Sequence, residues 1–348
     1  MGKHVVIIGG GVAGLEAGSK LSGCGYEVSL FEKSSMTGGH LNDWYKLFPD
    51  RRDSSEVTDY FKKITAGSGI KIIRDTAIGK IEENKHGFSV FSDKGAEIKA
   101  DAVVIATGFD LFKSSRKEEY GYGIYDNVIS SSDLEAMFKT GKLTMTDGRK
   151  PQRVGFVHCV GSRDEKVGNL YCSKLCCVTA VKQAIEVREH DGDSKVFCFY
   201  MDMRMGGAYY EELYREAQEK WGITFIRGKV SEVGESIDNS LVVKVEDTLL
   251  GRPLKIQLDM LVLMAGMEMS ESGRKLAKAS SLKTGENKFF APADHHYGSN
   301  LSSTKGVFLA GTCTMPMNIT ETISHARSVV SEVIGYLESK VNDGKVWI

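Results

Sequence analysis

Residues 169–180 read NLYCSKLCCVTA and bring Cys172, Cys176 and Cys177 close together in a chain that has 7 cysteines among 348 residues. Cys159 precedes them, so the full pattern is Cys159-x12-Cys172-x3-Cys176-Cys177. The segment from Tyr171 to about His190 reads as a helix after an apolar strand. On such a helix Cys172 and Cys176 would share a face, with Cys177 about 100° further round. Partly positive N–H groups at a helix start favour thiolate, the form that ligates metals. Two adjacent cysteines suit one small tetrahedral zinc poorly, since both must reach a single ion, whereas a cuboidal cluster offers separate iron atoms. Four thiolates around a 4Fe-4S cluster is therefore the economical reading. Zinc, or ordinary buried or redox-active thiols, stand beside it. A vicinal Cys176–Cys177 disulfide would be strained.

A second chemistry-bearing pattern lies at the start of the chain. HVVIIGGGVAGLEAGSKLSGCGYEVSLFEK is a continuous apolar strand, a glycine turn, a helix and a second strand ending at Glu32, which is one βαβ unit. Gly9, Gly11 and Gly14, with Val12 and Ala13 between them, fit GxGxxG in the position where backbone N–H groups bind a pyrophosphate at a helix N-terminus. Glu32, followed by Lys33, stands where a carboxylate accepts hydrogen bonds from an adenosine ribose. These residues predict a dinucleotide site.

The elements that must carry both patterns repeat along the chain. Strands are predicted at roughly 70–83, 87–92 and 97–106. From Pro151 the pattern restarts with RVGFVHCVG, the cysteine helix, KVFCFYMD, a helix at about 209–220 and ITFIRGKV. The last segment returns to a strand and a long amphipathic helix. This predicts an α/β protein with a dinucleotide-binding domain formed by 1–150 and 286–348, and an inserted α/β domain at 151–285.

Composition narrows the partners. With 45 basic and 46 acidic residues and a net charge of -1, no field favours nucleic acid or an anionic membrane. The first strand begins at His4, which leaves no room for a secretory signal, and Val6 occupies the place where a myristoylation signal needs Ser or Thr. The longest apolar stretches, Val5–Leu15 and Leu258–Met267, fall short of the about 20 residues of a membrane helix. A cytoplasmic protein with no direct membrane insertion is expected, where clustered cysteines serve metal or redox chemistry rather than disulfides.

Three further elements point to the cofactor. Gly38-Gly39-His40-Leu41, Ala106-Thr107-Gly108 and Gly311-Thr312 resemble recurring parts of the two-dinucleotide-binding-domain flavoproteins, a Rossmann-type, thioredoxin-reductase-like fold whose first domain binds FAD. The resemblance implies FAD here, contacted by Gly39, His40, Leu41, Ala106, Thr107, Gly108, Gly311 and Thr312. Where those proteins carry Gly-Asp, this chain has Gly311-Thr312, so a hydroxyl replaces a carboxylate. Asn318, Ile319 and Thr320 open the last helix, whose N–H groups are expected at the flavin pyrimidine edge. The inserted domain has no second GxGxxG, and the chain has no Cys-x2-Cys or Cys-x4-Cys pair, which disfavours hydride uptake from a nicotinamide followed by dithiol exchange.

CVGSRD, YCSKLCC, AVKQAIE, YMDMR, YYEELYREA and FIRGKV, in that order, resemble the A-type subunit of heterodisulfide reductase and its relatives. The resemblance implies that Cys159, Cys172, Cys176 and Cys177 bind a 4Fe-4S cluster close to FAD, and that Lys182 lies near flavin N5, against the plainer reading of a solvated helix lysine. The chain begins at the first strand and carries no additional cysteine runs. It therefore resembles the short form in the heterodisulfide-reductase-like complex of sulfur oxidisers, with the A-type subunit of the quinone-interacting membrane-bound oxidoreductase next. The implied role is an electron-transfer subunit, homodimeric, working with B- and C-type subunits; a stand-alone NAD(P)H-dependent reductase is the alternative. Cys24, Cys198 and Cys313 are expected to be buried structural thiols, Asp202 and Arg204 an ion pair or interface, and His295-His296 a loop.

Overall fold

The computed structural model describes residues 2–342, and the side chains as far as residue 339. The chain forms two compact units: one comprises 1–42, 55–110 and 268–348, the other 43–54 and 111–267. Both are discontinuous, whereas the second was expected as one continuous insertion at 151–285: residues 43–54 and 111–150 group with the second unit and 268–285 with the first, the strand Val128–Ser130 pairing in the second unit's sheet with Met260–Ala265.

The first unit is built on a five-stranded parallel sheet in the order Val307–Leu309, Ala102–Ile105, His4–Ile8, Glu27–Phe31, Lys71–Ile73. Its central strands read as unbroken apolar runs because both faces are covered: Val5, Val6 and Ile7 are fully buried. The helix Val12–Gly23 and the long helix Ile319–Asn342 pack together on this sheet. An antiparallel three-stranded sheet, Ile78–Asn84, Gly87–Ser92 and Glu97–Ala100, precedes the return to Ala102–Ile105.

The second unit repeats the plan. Its parallel sheet runs Val128–Ser130, Met260–Ala265, Arg153–Val160, Lys195–Tyr200, Thr224–Arg227. The helices Ser131–Thr140, Cys176–His190 and Tyr210–Glu219 share one apolar core with Val154, Phe156 and Cys159 of the central strand, whereas Val157 and Val160 belong to the core on the other face. A second antiparallel sheet, Val230–Glu235, Leu241–Asp247 and Arg252–Leu258, completes the unit. Among the described residues no helix is long and apolar enough to cross a membrane.

Candidate cofactor and cysteine sites

In the first unit the chain leaves strand His4–Ile8 and enters the helix at Val12 through Gly9, Gly10 and Gly11. Gly9 has φ +109°, and a Cβ there would stand 2.3 Å from the Ala106 carbonyl oxygen; a Cβ on Gly14 would stand 1.9 Å from the Gly9 carbonyl oxygen. These two glycines close the turn against backbone. Gly11 differs, since its missing Cβ faces open space. That division matches the three glycine roles in a dinucleotide turn, of which the middle one lets a phosphate approach.

The separate segments picked out in the sequence converge on this turn. Gly38 N–H donates to the Gly10 carbonyl at 2.7 Å, and a Cβ on Gly39 would meet Gly11 Cα at 3.4 Å. A Cβ on Gly311 would lie 2.7 Å from Ala13 Cβ, and one on Gly108 would lie 3.8 Å from Thr312 Oγ1. Glu32 is buried at its strand end, with Gly10 N–H donating to Oε2 at 2.7 Å and Ser34 N–H to Oε1 at 2.9 Å; Lys33 is exposed. His40 stacks on Phe109 at 4.4 Å and Leu41 is buried. Thr107 Oγ1 is buried without a hydrogen-bond partner. The start of the last helix carries a reciprocal cap, Asn318 N–H to Glu321 Oε2 at 3.0 Å and Glu321 N–H to Asn318 Oδ1 at 2.8 Å, ahead of Ile319 and the exposed Thr320. An open middle glycine and an unpartnered buried hydroxyl fit a bound dinucleotide.

In the second unit the same step out of the central strand takes residues 161–175. The strand pairing with Met260–Ala265 is irregular between Val157 and Val160, and Cys159 has φ +60°. A bulge of this kind re-aims a side chain, and Cys159 joins the helix-side core although its neighbour Val160 does not. The loop is then pinned along its length. Asp164 and Asn169 exchange backbone bonds, Asn169 Nδ2 donates to the Gly161 carbonyl at 2.9 Å, and buried Lys117 meets Asp164 at 2.7 Å. Tyr171 hydroxyl donates to the Met267 carbonyl, and Met267 N–H donates to Ser173 Oγ.

The helix begins at Cys176, not at Tyr171, which corrects the expected face shared by Cys172 and Cys176. Lys174 has φ +61° and breaks the helical path, so Cys172 sits on the loop, its Sγ accepting the Lys174 N–H at 3.2 Å. Cys176 and Cys177 occupy the first helical positions. Cys159 and Cys176 Sγ atoms are 3.9 Å apart, and Cys177 donates to the Asp202 carbonyl at 3.7 Å. Hydrogen bonding with Cys176 pulls the thiols of Cys159 and Cys177 below the usual range, while the same contacts and burial raise the thiol of Cys176. None of the cysteines is in a disulfide. Among the described residues no three His, Cys, Asp or Glu side chains are grouped as a metal-ion site.

What the pattern reading did not anticipate is the company these thiols keep. Of eleven buried side-chain N and O atoms without a hydrogen-bond partner among the described residues, four lie at 158–163: both His158 ring nitrogens, Ser162 Oγ and Arg163 Nη1. Arg163 is otherwise held by Asp202 at 2.6 Å. Buried polar groups are rarely left unpaired, and here the unspent groups include donors concentrated beside sulfur. Such a set suits thiolates and an acceptor-rich group among them. The one signal in the sequence was a lone histidine in an otherwise apolar strand.

Lys182 is not a solvated helix lysine. It is 2% exposed, and its ammonium meets Glu135 at 2.5 Å, Glu186 at 3.4 Å and the Lys46 carbonyl at 2.8 Å. Gln183 and the Tyr45 N–H complete the partners of Glu135, whereas neither Glu186 oxygen has a hydrogen bond. Elsewhere, Cys313 is buried and donates to the Ile105 and Ala310 carbonyls, with burial pushing its thiol up to about 12, and Cys198 is buried too. Cys24 is exposed at a helix C-cap, contrary to the expected burial. Asp202 is paired with Arg163 and Arg227, and His295-His296 lies in a loop.

Residues 1–124 match the pyridine nucleotide-disulphide oxidoreductase family model. Among solved structures, thioredoxin reductase from T. acidophilum superposes with a TM-score of 0.67 at 19% identity over 96% of this chain and 98% of its own, and that from Lactococcus lactis with 0.69 at 16% identity over 97% and 100%. The fold is thus the two-domain dinucleotide-binding fold of flavoproteins. The A-type subunit of the H2/formate:CoB-CoM heterodisulfide,ferredoxin reductase of Methanococcus maripaludis is 39% identical over 68% of this chain and 37% of its own length. The A-type subunit of the ferredoxin/F420H2-dependent CoB-CoM heterodisulfide reductase of Methanosarcina acetivorans is 30% identical over 96% and 53%. The chain thus spans between about a third and a half of the length of these curated relatives. Family model and relatives together place it among the oxidoreductases. On this sequence likeness and this fold, the chain belongs to the family of heterodisulfide reductase A-type subunits.

Proposed function

We propose that this chain is the FAD- and 4Fe-4S-bearing electron-transfer subunit of a heterodisulfide-reductase-like complex in sulfur metabolism. The observation that carries the reading is the Cys159–Cys176 sulfur pair, 3.9 Å apart, beside the unpartnered buried polar atoms of His158, Ser162 and Arg163. FAD, when bound, supplies two-electron chemistry and a 4Fe-4S cluster supplies single-electron relay. The residues that would hold FAD are the Gly9–Gly14 turn, Glu32, Gly39 to Leu41, Ala106 to Gly108, Gly311, Thr312 and the helix start at Asn318. Those for the cluster are Cys159, Cys172, Cys176 and Cys177. Metal ligation needs deprotonated thiols: the hydrogen bonding with Cys176 favours thiolate at Cys159 and Cys177, while the raised thiol of Cys176 would be deprotonated by the metal itself. Lys182 would serve flavin N5 only by giving up one of its three present partners.

Thiol or disulfide chemistry belongs in this reading to B- and C-type partner subunits, with the chain itself dimeric. Its methanogen relatives are named as heterodisulfide reductase subunits, which supports the complex. A second reading, an NAD(P)H-dependent reductase, is favoured by the name of the matching family model. Anaerobic titration separates the two. The proposed subunit is bleached by dithionite and not by NADH or NADPH, whereas rapid bleaching of the flavin by either nucleotide would overturn it.

A further inference from the structure

The strand Arg153–Val160 places two successive residues on one side. Val154 and Phe156 face the core shared with helix Cys176–His190, and His158 follows at the same alternation. The irregular pairing between Val157 and Val160, with the left-handed backbone of Cys159, turns the cysteine to that side as well. His158 is 6% exposed, and its ring stands 6.4 Å from that of Tyr200. Neither nitrogen meets a partner at hydrogen-bonding geometry. A buried imidazole with no oxygen or nitrogen partner, next along the strand to a cysteine turned to the same side, has sulfur as its available acceptor.

We infer that His158 donates a hydrogen bond to the sulfur of the cluster held by the four cysteines and thereby raises the reduction potential of that cluster. The inference rests on the cluster reading above. Reduction adds negative charge to the cluster, so an N–H aimed at its sulfur stabilises the reduced state more than the oxidised one, as hydrogen bonds to cluster sulfurs generally do. One electron enters, no covalent bond forms or breaks, and the proton stays on the imidazole nitrogen. His158 is thus a positioning residue for electron transfer and not a ligand.

The test is a redox titration of anaerobically purified protein, read by paramagnetic resonance, on wild type, His158→Phe and His158→Gln, with iron and sulfide measured on each. Phe keeps the ring volume and removes the donor; Gln keeps a donor. The expected result is full iron and sulfide in all three, with the one-electron reduction equilibrium about tenfold less favourable in His158→Phe, which is about 59 mV, and nearly restored in His158→Gln. Independently of any variant, pulsed paramagnetic resonance of reduced wild-type protein labelled with 15N-histidine should show coupling to a histidine ring nitrogen. An unchanged potential in an iron-replete His158→Phe protein, equal shifts in both variants, or no histidine coupling would each overturn the inference while leaving the cluster standing. Wild-type protein without iron and sulfide would overturn the cluster reading and this inference with it.

Discussion

The two units solve the same connection in opposite ways. Each has a five-stranded parallel sheet whose third strand in order leads into a helix. In the first unit three glycines make that step, at positions where backbone approaches backbone so closely that any side chain on Gly9 or Gly14 would collide. In the second the step takes 161–175, and besides the left-handed Gly161 and Gly168 it uses three left-handed residues that are not glycine, Cys159, Arg163 and Lys174. Non-glycine residues in that region each cost about 1–3 kcal/mol and persist where the surroundings over-determine them. Here the surroundings are the Lys117–Asp164 pair, the Asn169 bond and the Met267 contacts. On the proposed reading, one fold position serves either as a backbone device for a phosphate or as a side-chain device for sulfur.

If that contrast is right, the second unit breaks through charge and the first through volume. Lys182→Met should have the largest effect, because it strands Glu135 and Glu186 in the core of the cysteine helix. A loss of about 3–5 kcal/mol is expected in denaturant unfolding, and Glu135→Gln added to it should recover part. Its neighbour Glu186 gives a pH signature. Burial pushes the Glu186 carboxyl up to about 8 from an ordinary 4.5, against the pull of Lys182 and with a further push from Glu135. The folded state then binds this proton more tightly than the unfolded chain. Its contribution to stability is complete below about pH 4.5 and is lost as pH rises through about 8, with a slope of at most about 1.4 kcal/mol per pH unit. Glu186→Gln should lack that slope, so unfolding midpoints across pH 5–9 would show the variant gaining on wild type as pH rises; parallel curves would count against the assignment.

In the first unit, Gly14→Ala puts a methyl 1.9 Å from a carbonyl oxygen. A loss of about 3 kcal/mol, the upper end for overpacking, is expected together with loss of flavin absorbance, and the iron content of the second unit should survive it. The smallest effect is expected at the last helix, where Asn318→Ala removes one half of the reciprocal cap and should lower stability by about 1 kcal/mol. A much larger loss there would show that the helix start does more than cap.

The first unit was legible in the sequence because its site is made of backbone. Glycines at Gly9, Gly11 and Gly14, and at Gly38, Gly108 and Gly311, mark their own conformations, and Glu32 sits where the motif puts it. The second unit was legible only in its residue types. The four cysteines were found, but the helix start was placed at Tyr171, since nothing local in the run YCSKLCC announces a left-handed Lys174 and a break before Cys176. His158, Ser162, Arg163 and Glu186 were not singled out for the same reason. Their meaning lies in lacking partners, and a missing partner is visible only once the fold has brought the neighbours together. Lys182 was noticed through family likeness, while its burial between Glu135 and Glu186 depends on residues from separate helical turns and a distant helix.

In the proposed function the long connection holds an iron–sulfur cluster where the short one holds a phosphate. Its most direct test is quantitation of iron, acid-labile sulfide, zinc and flavin in anaerobically purified protein, with visible and paramagnetic-resonance spectra on the same sample. Four iron and four sulfide per chain are expected alongside one FAD, with the iron lost in Cys176→Ser and the flavin kept. Zinc without sulfide, or protein carrying flavin and no metal, would contradict it.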